Sequence, residues 1–235
     1  SPRQSTSART LALCNRALAH PNKHPLNWFP YEVIGSIELL EAYVKNIEDQ
    51  VAEGVANFNM NAETEVIEPE HPEEPARFIT HHRGLDDETW DLRSIFEDYF
   101  PSLQRRSALI TLYAFFEYEI DKLCQRVKEQ SGYRIEPSDI KDKGILRSTT
   151  YLLKVAEMDG IRGSKEWQEI QMIRSIRNQI VHTDGKIPPS RDGRPSKIDE
   201  YVRKSTYLQR TVDGAINIEN GYLSHCLMTF HAYFK

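Results

Sequence analysis

The stretch from Ser102 to Glu129 reads S-L-Q-R-R-S-A-L-I-T-L-Y-A-F-F-E-Y-E-I-D-K-L-C-Q-R-V-K-E. Its apolar residues Leu109, Leu112, Tyr113, Phe116, Ile120, Leu123, Cys124 and Val127 recur every three or four positions. Each helical residue turns the chain by about 100°, so this spacing gathers them on one broad face of an α-helix. Glu117, Glu119, Asp121 and Lys122 interrupt the stripe, and Gly132 follows as a stop signal. A helix this long cannot bury such a face alone. The rest of the chain must supply partners, which sets the fold class.

Working outward, Tyr31 to about Phe58 repeats the pattern with Val33, Ile37, Leu40, Val44, Ile47, Val51 and Val55, behind Pro30. Asp86-Asp87-Glu88 ahead of Trp90 reads as a helix start, with Trp90, Ile95, Phe96 and Tyr99 on the inner face and Pro101 ending or bending it. Further helices are expected over about Ser148 to Met158, from Lys165 to about His182 behind an N-cap Ser164, and from Asn220 to Phe234. A short helix over Ser7 to Ala19 also fits the spacing of Leu11, Cys14 and Leu18. Tyr207 to Ile218 alternates like a strand pair, with Asp213-Gly214 as the hairpin turn. Residues 61–76 hold three prolines and six glutamates and read as an extended acidic loop. Lys186 to Lys197 reads as a basic loop.

The expected fold is therefore mainly α, an antiparallel helical bundle with a small β-hairpin before the C-terminal helix. The expected divisions are a helical region over 1–60, an acidic Pro/Glu-rich loop over 61–84, and a bundle over 85–235 that the 31–58 helix joins as one continuous domain.

Composition narrows the class further. With 39% hydrophobic and 28% charged residues over 235 positions, the chain can pack one large domain or two small ones. The longest near-apolar run, Ala108 to Phe116, is far shorter than the roughly 20 residues of a membrane span. No basic-then-apolar leader opens the chain, which begins Ser1-Pro2 without Met, as a fragment or processed form does. Cys14, Cys124 and Cys226 are odd in number and widely spaced, so neither a disulfide framework nor a CxxC metal pattern exists, and a reducing cytoplasm is expected. The net charge of -5 hides an asymmetry. Residues 1–100 carry 8 Lys/Arg against 18 Asp/Glu, whereas residues 160–210 carry 11 against six. A polyanion is attracted to the second region and repelled by the first, although charge alone is explained as well by an ordinary solvated, charged loop.

No P-loop, dinucleotide fingerprint, HExxH or GxSxG is present. His81-His82 lacks the companions of a metal site, and neither a metal nor a cofactor is expected. One segment stands apart: Arg174-Ser175-Ile176-Arg177-Asn178-Gln179-Ile180-Val181-His182. Arg174, Asn178 and His182 lie one turn apart on the same side of a helix, while Arg177 lies about 140° from His182. Arg and His converge only if the last turn unwinds or two copies face each other. An ordinary exposed helix end, with His182 at the negative end of the dipole, also carries such residues.

Arg177, Asn178 and His182 form R-N-x-x-x-H after an aromatic-rich helix (Leu112 to Glu117) in a helical chain. This combination resembles the HEPN family, the higher eukaryote and prokaryote nucleotide-binding domains. The resemblance covers roughly residues 100–235. It implies a metal-independent endoribonuclease of phage defence or a toxin–antitoxin system, acting as a homodimer with a composite site. It implies Arg177, Asn178 and His182 as catalytic residues, RNA as substrate, 2′,3′-cyclic phosphate and 5′-hydroxyl products, and an antitoxin or regulatory protein as partner. Arg174, Lys186, Arg191 and Arg194 are then candidate RNA contacts, and Glu117 a residue orienting Arg177. Where some members carry a Tyr two residues after the His, this chain has Asp184. The rivals are a catalytically idle HEPN relative that binds nucleotides, RNA or protein, and a helical interaction module in which the motif is coincidence.

Overall fold

The stripes that predict helices do form them. The computed structural model describes residues 28–69, 71, 73, 75–188 and 194–235; the expected helix at Ser7–Ala19, Cys14 and Arg191 lie outside these. The first long helix, α1 (Ile34–Asn61), is entered through a wide helical turn at Phe29–Val33. There Pro30 needs no N–H of its own, and Ile34 N–H closes the turn on Phe29 O. Val33 is buried on that turn, and Ile37, Val44, Val51 and Phe58 are buried on α1. The second, α2 (Phe100–Ser131), is the helix read from Ser102–Glu129, and it stops at Gly132 with φ +66°. Then follow α3 (Ile145–Lys154), α4 (Lys165–Thr183), α5 (Lys197–Lys204) and α6 (Tyr222–Phe234). The fold is mainly α with small antiparallel sheets, as expected.

Two expectations are corrected. The acidic stretch is not wholly a loop: β1 (Glu63–Ile67) pairs antiparallel with β2 (Arg77–His82), which pairs with β3 (Leu85–Asp86). The Thr64, Val66 and Ile67 side chains suit a pleated strand, and the described prolines, Pro69 and Pro75, fall between the strands, where no ladder donor is lost. Second, Asp86-Asp87-Glu88 does not begin a helix. Asp87 Oδ1 accepts from Thr80 N at 2.9 Å and Asp86 Oδ1 from Thr89 N at 2.8 Å, so these acids build a turn. The N-cap is Asp91, whose Oδ1 accepts from Ser94 N at 3.0 Å, so Trp90 falls ahead of the helix and is exposed, as is Tyr99, while Phe96 is buried. Pro101 does not stop the helix, because the preceding turn (Ile95–Tyr99) is wide and Phe100 N–H reaches back to Ile95 O.

The chain divides into two units. One comprises residues up to 41, 113–171 and 227–235, and the other 42–112 and 172–226. In the first, Phe116 stacks on Phe230 with ring centroids 4.4 Å apart and packs on Phe234 at 5.1 Å, while Trp28 meets Phe234 edge-on. Arg162 ties the following loop to the side of α3 by donating to Leu146 O and the hydroxyls of Thr149 and Thr150. In the second, Phe58, Leu92 and Phe96 form a core cluster. His82 is buried there against the rings of Phe58 and Phe96, which accounts for half of the His81-His82 pair as packing. The expected hairpin also lies in this unit, with β4 (Leu208–Arg210) and β5 (Ile216–Ile218) turning at Asp213-Gly214, where Gly214 has φ +85°.

Candidate nucleic-acid processing site

α4 begins as expected, with Ser164 Oγ accepting from Trp167 N at 3.0 Å. Trp167, Ile170, Ile173 and Ile176 are its buried face. Arg174, Arg177 and Asn178 are half-buried on its flanks, and His182 is exposed in its last turn. Arg177 Nη1 donates to Asn178 Oδ1 at 3.1 Å, and Arg177 Nε is shut off from solvent. The carboxamide oxygen therefore orients the guanidinium. The helix stays regular through His182, so its last turn does not swing the imidazole towards Arg177, and the two remain about 140° apart around the axis.

The way this helix ends sets the surroundings of His182. Asp184 (φ +52°) and Gly185 (φ +76°) both take left-handed backbone, and Gly185 N donates to Gln179 O at 3.0 Å. The chain then runs directly alongside the hairpin. Ile216 N donates to Gly185 O at 3.0 Å, Lys186 bridges Ala215, and Ile187 N donates to Gly214 O at 3.1 Å. Lys186 thus opens not as a loose loop but as a strand-like lane beside β5, with its exposed ammonium 3.9 Å from Asp213. Arg194 is exposed.

Sequence reasoning missed the residues beneath this turn. Arg106 on α2, 5% exposed, donates to Ile216 O at 2.7 Å, Asp184 Oδ1 at 3.1 Å and Asp184 O at 3.3 Å. A Cβ at Gly185 would stand 3.2 Å from its Nη2, so glycine serves both the left-handed backbone and this close approach. Arg105 makes a two-pronged pair with Glu48 (2.7 Å at its shortest) and donates to Ile218 O at 3.2 Å. A signal for both existed: Arg105 and Arg106 lie four and three residues before Leu109, so they continue the apolar stripe and belong to the buried face.

Also missed was α5. Ser196 and Asp199 form its capping box, and Arg210 Nη1 donates to Asp199 Oδ1 at 2.9 Å, tying α5 to β4. Arg203, Lys204 and Arg210 are exposed, so α5 and the hairpin extend the cationic character of Lys186 and Arg194 within this unit. Glu117 belongs to the first unit, where its Oε1 lies 2.6 Å from where a Cβ on Gly144 would stand, while Arg177 belongs to the second. Among the described residues no group of three or more His, Cys, Asp or Glu could hold a metal ion, and no helix is long and apolar enough to cross a membrane.

The chain matches no protein-family model, no curated protein and no solved structure.

Proposed function

We propose that the chain is a metal-independent endoribonuclease of HEPN type, in which RNA supplies its own nucleophile. The observation that carries the reading is the Arg177–Asn178 contact on the turn before an exposed His182, at a helix end held in place by Gly185 and Arg106. The 2′-hydroxyl attacks the adjacent phosphorus and the P–O5′ bond breaks, leaving a 2′,3′-cyclic phosphate and a 5′-hydroxyl. His182 moves the proton, the general acid–base role for which an imidazole is suited. Arg177, always charged, stabilises the phosphorane oxygens, and Asn178 holds the guanidinium while donating to phosphate. Arg174, Lys186 and Arg194, with Arg203, Lys204 and Arg210, carry the flanking phosphates.

On a regular helix Arg177 and His182 diverge, so the reading includes a homodimer in which the Arg of one copy meets the His of the other. A cytoplasmic enzyme that cuts its host's RNA also needs restraint by a regulatory protein, as in a toxin–antitoxin or antiviral system. The test is incubation of the purified chain with total cellular RNA in excess EDTA, beside His182→Ala and Arg177→Ala. Cleavage by the parent alone, with cyclic phosphate ends, is expected. Intact RNA with a folded, dimeric parent refutes the enzyme and favours a binding module, and equal cleavage by all three refutes the motif.

A further inference from the structure

The three-stranded sheet ends on β1, all five residues of which are exposed, and among the described residues β1 pairs with β2 alone. Its outer edge presents backbone N–H and C=O groups as a template for another strand. Alternation sorts its side chains. Glu63, Glu65 and Ile67 share one face with His81, Ile79 and Arg77, and Thr64 and Val66 share the other with Thr80 and Phe78. Val66 and Phe78 stand directly opposite each other, 49% and 66% exposed, so that face carries an apolar pair in water. The strand has none of the lysines or prolines that commonly blunt an edge.

Charge decides what can pair there. Two copies joined antiparallel about Thr64 or Glu65 set glutamate against glutamate, which is unfavourable directly across a ladder. A basic strand meets the opposite situation beside Glu63 and Glu65, of which Glu65 lies 3.4 Å from His81 Nε2 across the hairpin. We propose that the β1 edge docks an extended basic segment of a partner protein as a fourth strand. Lysine or arginine at alternate positions lies beside Glu63 and Glu65, and β-branched or aromatic residues between them cover Val66 and Phe78. This inference does not depend on the ribonuclease reading, and its test needs no RNA.

The test uses the full chain and a fluorescent peptide alternating lysine and valine, beside a peptide of the same composition with its lysines grouped. Saturable binding of the alternating peptide, with hydrogen-exchange protection confined to residues 63–67, is expected. Glu63→Lys combined with Glu65→Lys weakens that binding by about tenfold or more and creates binding to a peptide alternating glutamate and valine. Both positions are exposed, so circular dichroism of the variant should match the parent, and single reversals, each expected to weaken binding less, replace the double variant if it does not fold. Equal binding of the grouped peptide overturns the proposal in favour of general charge attraction. Absence of binding or of protection, or a dimer joined through β1, overturns it as well.

Discussion

Arg106→Met asks whether one buried guanidinium holds the end of the motif helix to the hairpin. Methionine keeps the apolar stem and removes three hydrogen bonds. They are not equal in consequence. The Asp184 side chain is 70% exposed and returns to water at little cost. Ile216 is fully buried, so its carbonyl, now 2.7 Å from Arg106 Nη2, loses a charged donor and finds no water in its place. Leaving a buried acceptor unmet costs about 1–3 kcal/mol, and the lost charged bond itself is of the same order. Against this, Arg106 Nε is buried without a partner among the described residues, so removing the charge relieves part of its own desolvation. The balance is about 2–3 kcal/mol of destabilisation. For a chain of this size that lowers Tm by about 5–10 °C. Urea denaturation should give the same loss as a shifted midpoint with an unchanged slope. Hydrogen exchange should localise it, because the Ile216 amide is protected through Gly185 O and the Gly185 amide through Gln179 O. A Tm within about 1 °C of the parent, with both amides still protected, refutes the reasoning: the carbonyl would then be satisfied some other way and Arg106 would not be what fixes the turn.

Two other groups make predictions of their own. Burial pushes the Asp199 carboxyl up, but hydrogen bonds from Ser196 and the charges of Arg210 and Arg203 outweigh it and hold the carboxyl below its ordinary value. With the folded value below the unfolded one, the contribution is present above about pH 4 and is lost as pH falls through the folded value, so urea midpoints followed from pH 6 to pH 2 should fall less steeply in Asp199→Asn. Burial likewise pushes the Cys124 thiol up to about 12, so in the folded chain at pH 8 it should resist a thiol reagent and react only after denaturation; peptide mapping that finds it labelled under native conditions contradicts its burial on α2.

The long helices were legible because their signal is periodic and repeated. Ile37, Val44 and Val51, and on α2 Leu109, Leu112, Phe116, Ile120 and Val127, are buried as their spacing predicts, while Leu40, Ile47, Val55 and Leu123 are half-buried. The β1–β2 hairpin was hidden by counting. Six glutamates and three prolines across residues 61–76 outweigh a five-residue alternation, although Pro69 and Pro75 fall between the strands and the β-branched residues where the chain pairs. The wide turns at Phe29–Val33 and Ile95–Tyr99 were illegible for another reason. Proline announces a break in the hydrogen-bond ladder, but whether the chain bends, stops or widens depends on what packs behind it, and Phe96 in the aromatic cluster favours continuation.

The candidate site divides in the same way. Residue type and spacing on one helix are local, so the placing of Arg174, Asn178 and His182 along one side of α4, and the angle to Arg177, followed from about 100° per residue alone. What fixes the helix end is not local. Arg106 stands 78 positions before Asp184 and 110 before Ile216, and no window along the chain joins them. Yet two adjacent arginines inside an apolar stripe were visible, and a buried cation must find acceptors. A helix end supplies unpaired carbonyls, and a hairpin crossing it supplies more. The left-handed Asp184-Gly185 step is what turns these acceptors towards Arg106, since a Cβ at residue 185 would crowd the guanidinium. The position two residues beyond His182 is thereby committed to structure. Asp184 anchors the turn by accepting from Arg106 through both its carboxylate and its carbonyl.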